Sequence, residues 1–143
     1  MEHTPGTDTT ATLFTEVSLL IKSRLQGAVG MPLSQCQTLW FVAQQKKPGA
    51  HTSMQDVARY FNIKAPSATF LVEELVQAGL LERRANTKDR RRVELMATPK
   101  GKRAFKTFET KKHAILSKLF GPLDARDRKE LNRILQEIIK NNA

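Results

Sequence analysis

Apolar positions along this chain follow two periods. They recur every three or four residues up to about residue 77, alternate after Gly79, and return to the longer spacing from residue 99. Leu13, Val17, Leu20 and Ile21 mark a first helix, with Asp8, Thr9 or Thr10 as its cap and an end near Gly27 and Gly30, before Met31-Pro32. Ser34, with Gln37 three residues on, reads as the capping box of a second helix. That helix runs through Leu39, Trp40, Phe41 and Val42 to a break at Lys46-Lys47-Pro48-Gly49. Ser53 and Asp56 cap a short third helix with Val57, Ala58 and Phe61 on its apolar side. Pro66 suits the first turn of a longer fourth helix that stops at Ala78-Gly79.

Leu80 and Leu81, then Val93, Leu95 and Ala97, alternate as strand residues do, with a polar turn at Asn86-Thr87-Lys88-Asp89 between them. The pattern predicts a β-hairpin. Thr98-Pro99 opens a long helix broken at Gly121-Pro122, and Asp124 caps a last one carrying Leu131, Ile134, Leu135, Ile138 and Ile139 on one stripe. The fold class expected is mainly α with a small β-hairpin wing. A short helix, a tight turn, a second helix and a basic hairpin make the plan of a winged helix-turn-helix.

Charge sharpens this picture. The 143 residues carry 24 Lys and Arg against 14 Asp and Glu, a net +10, which points to a polyanionic partner. Most of the excess is local. Residues 82–106 hold ten basic side chains against Glu82, Asp89 and Glu94, a net +7. A basic hairpin tip can place arginine in the narrow minor groove of double-stranded DNA while flanking Lys and Arg neutralise phosphates. On the fourth helix, Ala68, Leu71, Val72 and Leu75 share one side and Pro66, Thr69, Phe70, Glu73 and Gln77 the other. On that outer side Thr69 suits a base edge or a thymine methyl, Phe70 suits thymine methyls, and Glu73 suits a cytosine amino group. The plain alternative is a solvated helix face, and Glu73-Glu74 read most simply as facing groove and solvent.

Other chemistry is sparse. No run approaches the ~20 apolar residues of a membrane span, and the basic run sits on a hairpin rather than on an amphipathic helix of the kind that lies on membranes. Residues 1–8 show no export-signal pattern, and the single cysteine, Cys36, fits a reducing, cytoplasmic compartment. His3, His51 and His113 lack metal-site spacing. No Gly-rich phosphate loop or nucleophile elbow occurs, so neither a cofactor nor an enzyme activity is expected. Cys36 falls in the first turn of the second helix, where the helix dipole favours a lowered thiol pKa and hence redox sensing. Core packing is the other reading of Cys36, and likewise of Trp40, the candidate lining of a ligand pocket.

Residues 57–81, written VARYFNIKAPSATFLVEELVQAGLL, and the wing segment Asp89-Arg90-Arg91 followed by Thr98-Pro99-Lys100-Gly101, resemble the MarR family of transcription regulators. The resemblance covers about residues 34–120 closely. It implies a homodimer built from the first and last two helices, with two winged lobes reading an inverted repeat and a small aromatic effector in some members. The organisation then expected is a disordered tail over 1–8, an N-terminal dimerisation helix over 9–33, a DNA-binding lobe over 34–98 and C-terminal dimerisation helices over 99–143. The DNA-binding set is Lys64, Pro66, Ser67, Thr69, Phe70 and Glu73, with Lys88, Asp89, Arg90, Arg91 and Arg92 from the wing. By the same resemblance, Asp89 would hold Arg91 in an ion pair that shapes the wing, and Arg90 would probe the minor groove. Lys64 stands where the family usually has Ser, Phe70 where a polar or basic contact is common, and Ala97 where Leu is usual. The apolar stripes of the first and last helices independently ask for a partner surface. The competing reading is a winged-helix module that binds protein rather than DNA, which the outward Phe70 favours.

Overall fold

A computed structural model describes residues 5–44 and 51–143. The chain runs α1 (Pro5–Ala28), α2 (Leu33–Ala43), α3 (Met54–Phe61), α4 (Ala65–Gln77), β1 (Leu81–Ala85), β2 (Val93–Ala97), α5 (Pro99–Leu119) and α6 (Ala125–Asn142). This is the order that periodicity predicts. The Lys46-Lys47-Pro48-Gly49 break lies outside the described residues.

Helix ends follow local chemistry wherever a cap is free to act. Ser53 and Asp56 form a reciprocal capping box on α3, and Asn62, in the left-handed region at φ 50°, closes that helix. Gly79, at φ 72°, ends α4 and turns the chain into β1. Thr98 and Asp124 cap α5 and α6, accepting from the Gly101 and Asp127 amides.

Two helix starts depart from expectation. The tail expected over 1–8 is helical from Pro5 onward, because a proline in the first turn gives up an N–H that has no helical partner; residues 1–4 are outside the described set. The Ser34 and Gln37 capping box does not form. Pro32 takes the cap position instead, and its carbonyl accepts the Gln35 and Cys36 amides at 3.0 and 3.1 Å. Ser34 is therefore already inside the helix, where its carbonyl receives the Thr38 hydroxyl at 2.7 Å.

The core of the lobe joins Leu39 and Val42 of α2, Val57 of α3, Ala68, Val72 and Leu75 of α4, and Leu80, Leu81 and Leu95 at the hairpin. Each buried Leu or Val contributes about 1.5–3 kcal/mol of transfer free energy. The strands pair antiparallel with Leu81 opposite Ala97 and Ala85 opposite Val93. The Thr52 carbonyl accepts the Leu95 amide at 2.8 Å, adding a third backbone to the root of the hairpin. The strict alternation expected of β2 holds for only part of its length. Leu95 is buried, but Val93 is exposed and Glu94 is buried on the opposite face. Val93 pairs with the exposed Ala85 near the outer end of the hairpin, while the segment carrying His51 and Thr52 covers the face of Glu94.

Outside the lobe, α1 packs on α5 and α2, and α5 also packs on α2. Leu25 is the buried apolar residue of α1 among those described, while Leu13, Phe14, Val17, Leu19 and Leu20 are exposed. No residue of α6 is buried, and Ile134, Leu135, Ile138 and Ile139 stand open. Most of both apolar stripes stays exposed, with Ile21 and Leu131 half-buried. No described helix is long and apolar enough to cross a membrane.

Candidate nucleic-acid interface

Helix α4 presents two chemically distinct sides. Ala68, Val72 and Leu75 are fully buried, which fixes the rotation of the helix about its axis and turns Pro66, Ser67, Thr69, Phe70 and Gln77 outward. Lys64, at the cap position, is exposed and its side chain makes no capping bond. Phe70 is 63% exposed, a large apolar cost unless a partner covers the ring. The Thr69 hydroxyl donates to the Ala65 carbonyl at 3.0 Å. Its donor is thereby engaged, which leaves this exposed side chain an acceptor and a methyl group for outside contacts.

The wing tip is built by side chains folding onto backbone. Asn86 Oδ1 accepts the amides of Lys88 at 2.7 Å and Asp89 at 3.0 Å, while the Asn86 amide donates to the Arg92 carbonyl at 2.9 Å. Asp89 Oδ1 accepts the Arg91 amide at 3.1 Å, and Asp89 Oδ2 lies 3.8 Å from Arg92 Nε. The ion pair expected between Asp89 and Arg91 is therefore replaced: Asp89 holds Arg91 through its backbone and pairs with the side chain of Arg92. Capping its own turn draws the Asp89 carboxylate onto the Arg91 backbone amide rather than onto its guanidinium. Lys88, Arg90 and Arg91 are exposed, and among the described residues none of the three makes an ion pair.

Below the tip, the buried Glu94 carboxylate lies 2.8 Å from His51 Nδ1 and accepts a hydrogen bond from Asn86 Nδ2. This knot ties the wing to the segment before α3. Two carboxylates on α4 are also engaged, contrary to the plain reading of them as groove- and solvent-facing. Glu73 Oε2 is 2.8 Å from Arg83 Nη1 on β1, and Glu74 Oε2 accepts from Gln35 Nε2 of α2 at 2.7 Å. Glu73 is thus not a free acceptor for a cytosine amino group. Sequence reasoning missed Arg83, Asn86, Glu94, Gln35 and His51. Of these, only the Asn in a predicted turn carried a local signal.

The two sensor candidates sit away from this face. Cys36 is buried, with Sγ 3.9 Å from the Met31 carbonyl. Burial pushes its thiol pKa up, outweighing a smaller lowering by its backbone hydrogen bond. Burial therefore works against the lowered thiol pKa expected of a helix start, because desolvation disfavours the thiolate. Trp40 is half-buried and lines a cleft of about 810 Å³ between α1, α2 and α5, together with Leu25, Tyr60, Phe108 and Lys112. Lys112 Nζ lies 5.6 Å from the ring centres of both Trp40 and Phe108. Among the described residues no three His, Cys, Asp or Glu side chains are placed to hold a metal ion.

Known proteins share this fold. The sequence pattern of the MarR family matches residues 29–92. The HTH-type transcriptional regulator BilQ of Clostridium symbiosum (strain WAL-14163) is 32% identical over 130 residues, which span 90% of this chain and 87% of that one. The crystal structure of MarR superposes with a TM-score of 0.74 at 15% identity, over 99% of this chain and 94% of the other. MepR of Staphylococcus aureus, solved as a DNA complex, gives 0.73 at 17% identity, over 93% and 96% of the two chains. MepR bound to ethidium bromide gives 0.62 at 18% identity, over the same 93% and 96%. With its winged helix-turn-helix, its 32% identity to an HTH-type transcriptional regulator and its match to the family pattern, this chain belongs to the MarR family of transcriptional regulators.

Proposed function

We propose that this chain is a cytoplasmic repressor that binds an inverted-repeat DNA operator as a homodimer. One observation carries the reading: the outer face of α4 and the unpaired cations of the wing tip, Lys88, Arg90 and Arg91, are exposed together on one lobe. With α4 in the major groove, Lys64, Pro66 and Ser67 approach the backbone at the helix start, and Thr69 and Phe70 reach base edges. Arg90 then enters the neighbouring minor groove and Lys88 and Arg91 neutralise phosphates, while Asp89, paired with Arg92, shapes the tip. The likeness in fold to MepR in its DNA complex supports this docking.

The exposed stripes of α1 and α6 support the homodimer, since a second copy gives both faces a place to be buried. Two-fold symmetry would set the half-sites ~34–36 Å apart. The cleft beside Trp40 supports release by a small aromatic effector, whose ring would stack among Trp40, Tyr60 and Phe108. The ethidium complex of MepR is a precedent in a protein of the same fold.

A gel shift with the DNA upstream of the chain's own gene, repeated at rising salt, tests the reading. A shift that weakens steeply with salt is expected. No shift at low salt, or one that salt leaves unchanged, would sink it. The exposed Phe70 favours a second reading, a module that docks on protein, and that reading predicts the absence of any shift.

A further inference from the structure

Helix α4 carries an acidic residue on the side it would turn to DNA, where phosphates repel it. Glu73 does not stand alone there. Its Oε2 is 2.8 Å from Arg83 Nη1, and its Oε1 accepts from Gln77 Nε2 at 3.5 Å, so both carboxylate oxygens are engaged within the protein. Arg83 lies opposite Leu95 in the hairpin, and Leu95 is part of the core, so the backbone that carries Arg83 is firmly placed. The next arginine along β1, Arg84, is 2.5 Å from Glu82 Oε1 on the same strand. Both strand arginines are therefore neutralised from within, whereas Lys88, Arg90 and Arg91 at the tip are not.

Partly exposed pairs of this kind add little to stability, because solvent screens them and ordering two long side chains costs entropy. Their effect on DNA binding is larger. A guanidinium held by a carboxylate releases no counterion from the duplex, so it drops out of the sequence-independent part of the affinity.

Resting on the DNA-binding reading above, we propose that Glu73 and Glu82 are specificity-setting residues that hold Arg83 and Arg84 off the phosphate backbone. They confine the electrostatic footprint of the wing to its tip. Glu73 is thus a positioning residue that braces α4 against β1, not a reader of cytosine. Weak non-specific binding, and with it a wide gap between operator and random DNA, follows from this confinement.

The test measures binding of the full-length chain to a random-sequence duplex by fluorescence anisotropy between 50 and 200 mM KCl. Base preference is read in parallel by selection from a randomised pool. Glu73→Gln should steepen the slope of log K against log salt by about 0.9, one added phosphate contact, so that the affinity lost across this range grows ~3.5-fold. Its base preference should match that of the unaltered chain. Glu82→Gln should steepen the slope in the same way through Arg84. Arg83→Gln should leave the slope where it was. Circular dichroism and a thermal melt establish that each variant is folded.

A Glu73→Gln variant with an unchanged slope and an altered preference at one base pair would overturn the proposal, since Glu73 would then be reading a base. A flatter slope for Arg83→Gln would also overturn it, since Arg83 would already be on a phosphate. Failure of the unaltered chain to bind either duplex at 50 mM KCl would instead strike the DNA-binding reading, and this proposal with it.

Discussion

Gly101 crosses the Leu80 carbonyl so closely that a Cβ on Gly101 would lie 1.9 Å from the carbonyl oxygen and 2.9 Å from its carbon. This contact joins the first turn of α5 to the corner where α4 gives way to the wing. Two bonds reinforce it: the Thr98 hydroxyl donates to the Gly79 carbonyl at 2.6 Å, and Lys100 Nζ donates to the Ala78 carbonyl at 2.8 Å. The end of α4 is thereby fixed relative to the helix that leads out of the lobe.

Gly101→Ala should therefore destabilise the fold by about 3 kcal/mol, because the atom it meets is backbone and cannot rotate away. In a chain of this size that is a fall in melting temperature of roughly 10 °C. Calorimetry or a circular dichroism melt checks it. A variant that melts with the unaltered chain would show that the crossing is looser than described.

At the DNA-facing surface, Arg90→Ala and Thr69→Ala should fail differently. Removing Arg90 should weaken binding to any duplex and lower the salt slope by about 0.9. Removing Thr69 should leave the slope alone and change preference at one base pair by about 1–3 kcal/mol. The Thr69 hydroxyl already donates to Ala65, so the lost contact should be an accepted hydrogen bond or a methyl contact. Equal loss on all DNA from both substitutions would count against these roles.

Ile138 is 51% exposed on α6, and Ile139 and Ile134 flank it on the same stripe. Ile138→Asp would place an unpaired carboxylate in the proposed dimer seam. It should raise the dimer dissociation constant about 100-fold or more, given roughly 3 kcal/mol or more for an uncompensated buried charge. Sedimentation equilibrium reads this directly. The helical content of the single chain should hardly change, because Ile138 is half exposed and lies outside the core of the lobe. A chain already monomeric at tens of micromolar, on the order of ordinary assay concentrations, would refute the dimer.

Burial raises the pKa of the Cys36 thiol, so the folded chain favours the neutral form. The stabilisation this brings is fully present below the ordinary thiol pKa and is lost as pH rises through the elevated value. Alkylation of the folded chain by iodoacetamide at neutral pH should be about tenfold or more slower than that of the unfolded chain, and should accelerate only in alkaline solution. Mass spectrometry of timed quenches measures it. Rapid stoichiometric labelling at neutral pH would restore Cys36 as a redox sensor.

Short-range physics made much of this protein legible in its residues. Ser53 and Asp56 specify the start of α3, Gly79 the end of α4, and Thr98 and Asp124 the last two helices, because each acts on backbone groups within three or four positions. The concentration of Lys and Arg over residues 82–106 needed only the order of the chain. The resemblance of residues 57–81 rests on the same local pattern.

Tertiary structure decided how charged and polar groups are paired. Gln35 meets Glu74 across 39 positions, and Arg83 rather than a base takes the Glu73 carboxylate. Glu94 is buried because His51 and Asn86 close over it, while Val93, which alternation assigns to the core, stands open because it lies out toward the wing tip. Asp89 pairs with Arg92 while capping its own turn, and at Cys36 burial works against the activation that a helix start promises a thiol. Periodicity tells which face of an element is apolar, but the partner of a charge depends on which segments pack beside it, and that follows from the fold as a whole. The single chain also leaves the stripes of α1 and α6 bare, so the sequence marks these helices as needing a partner surface while the lobe itself supplies none.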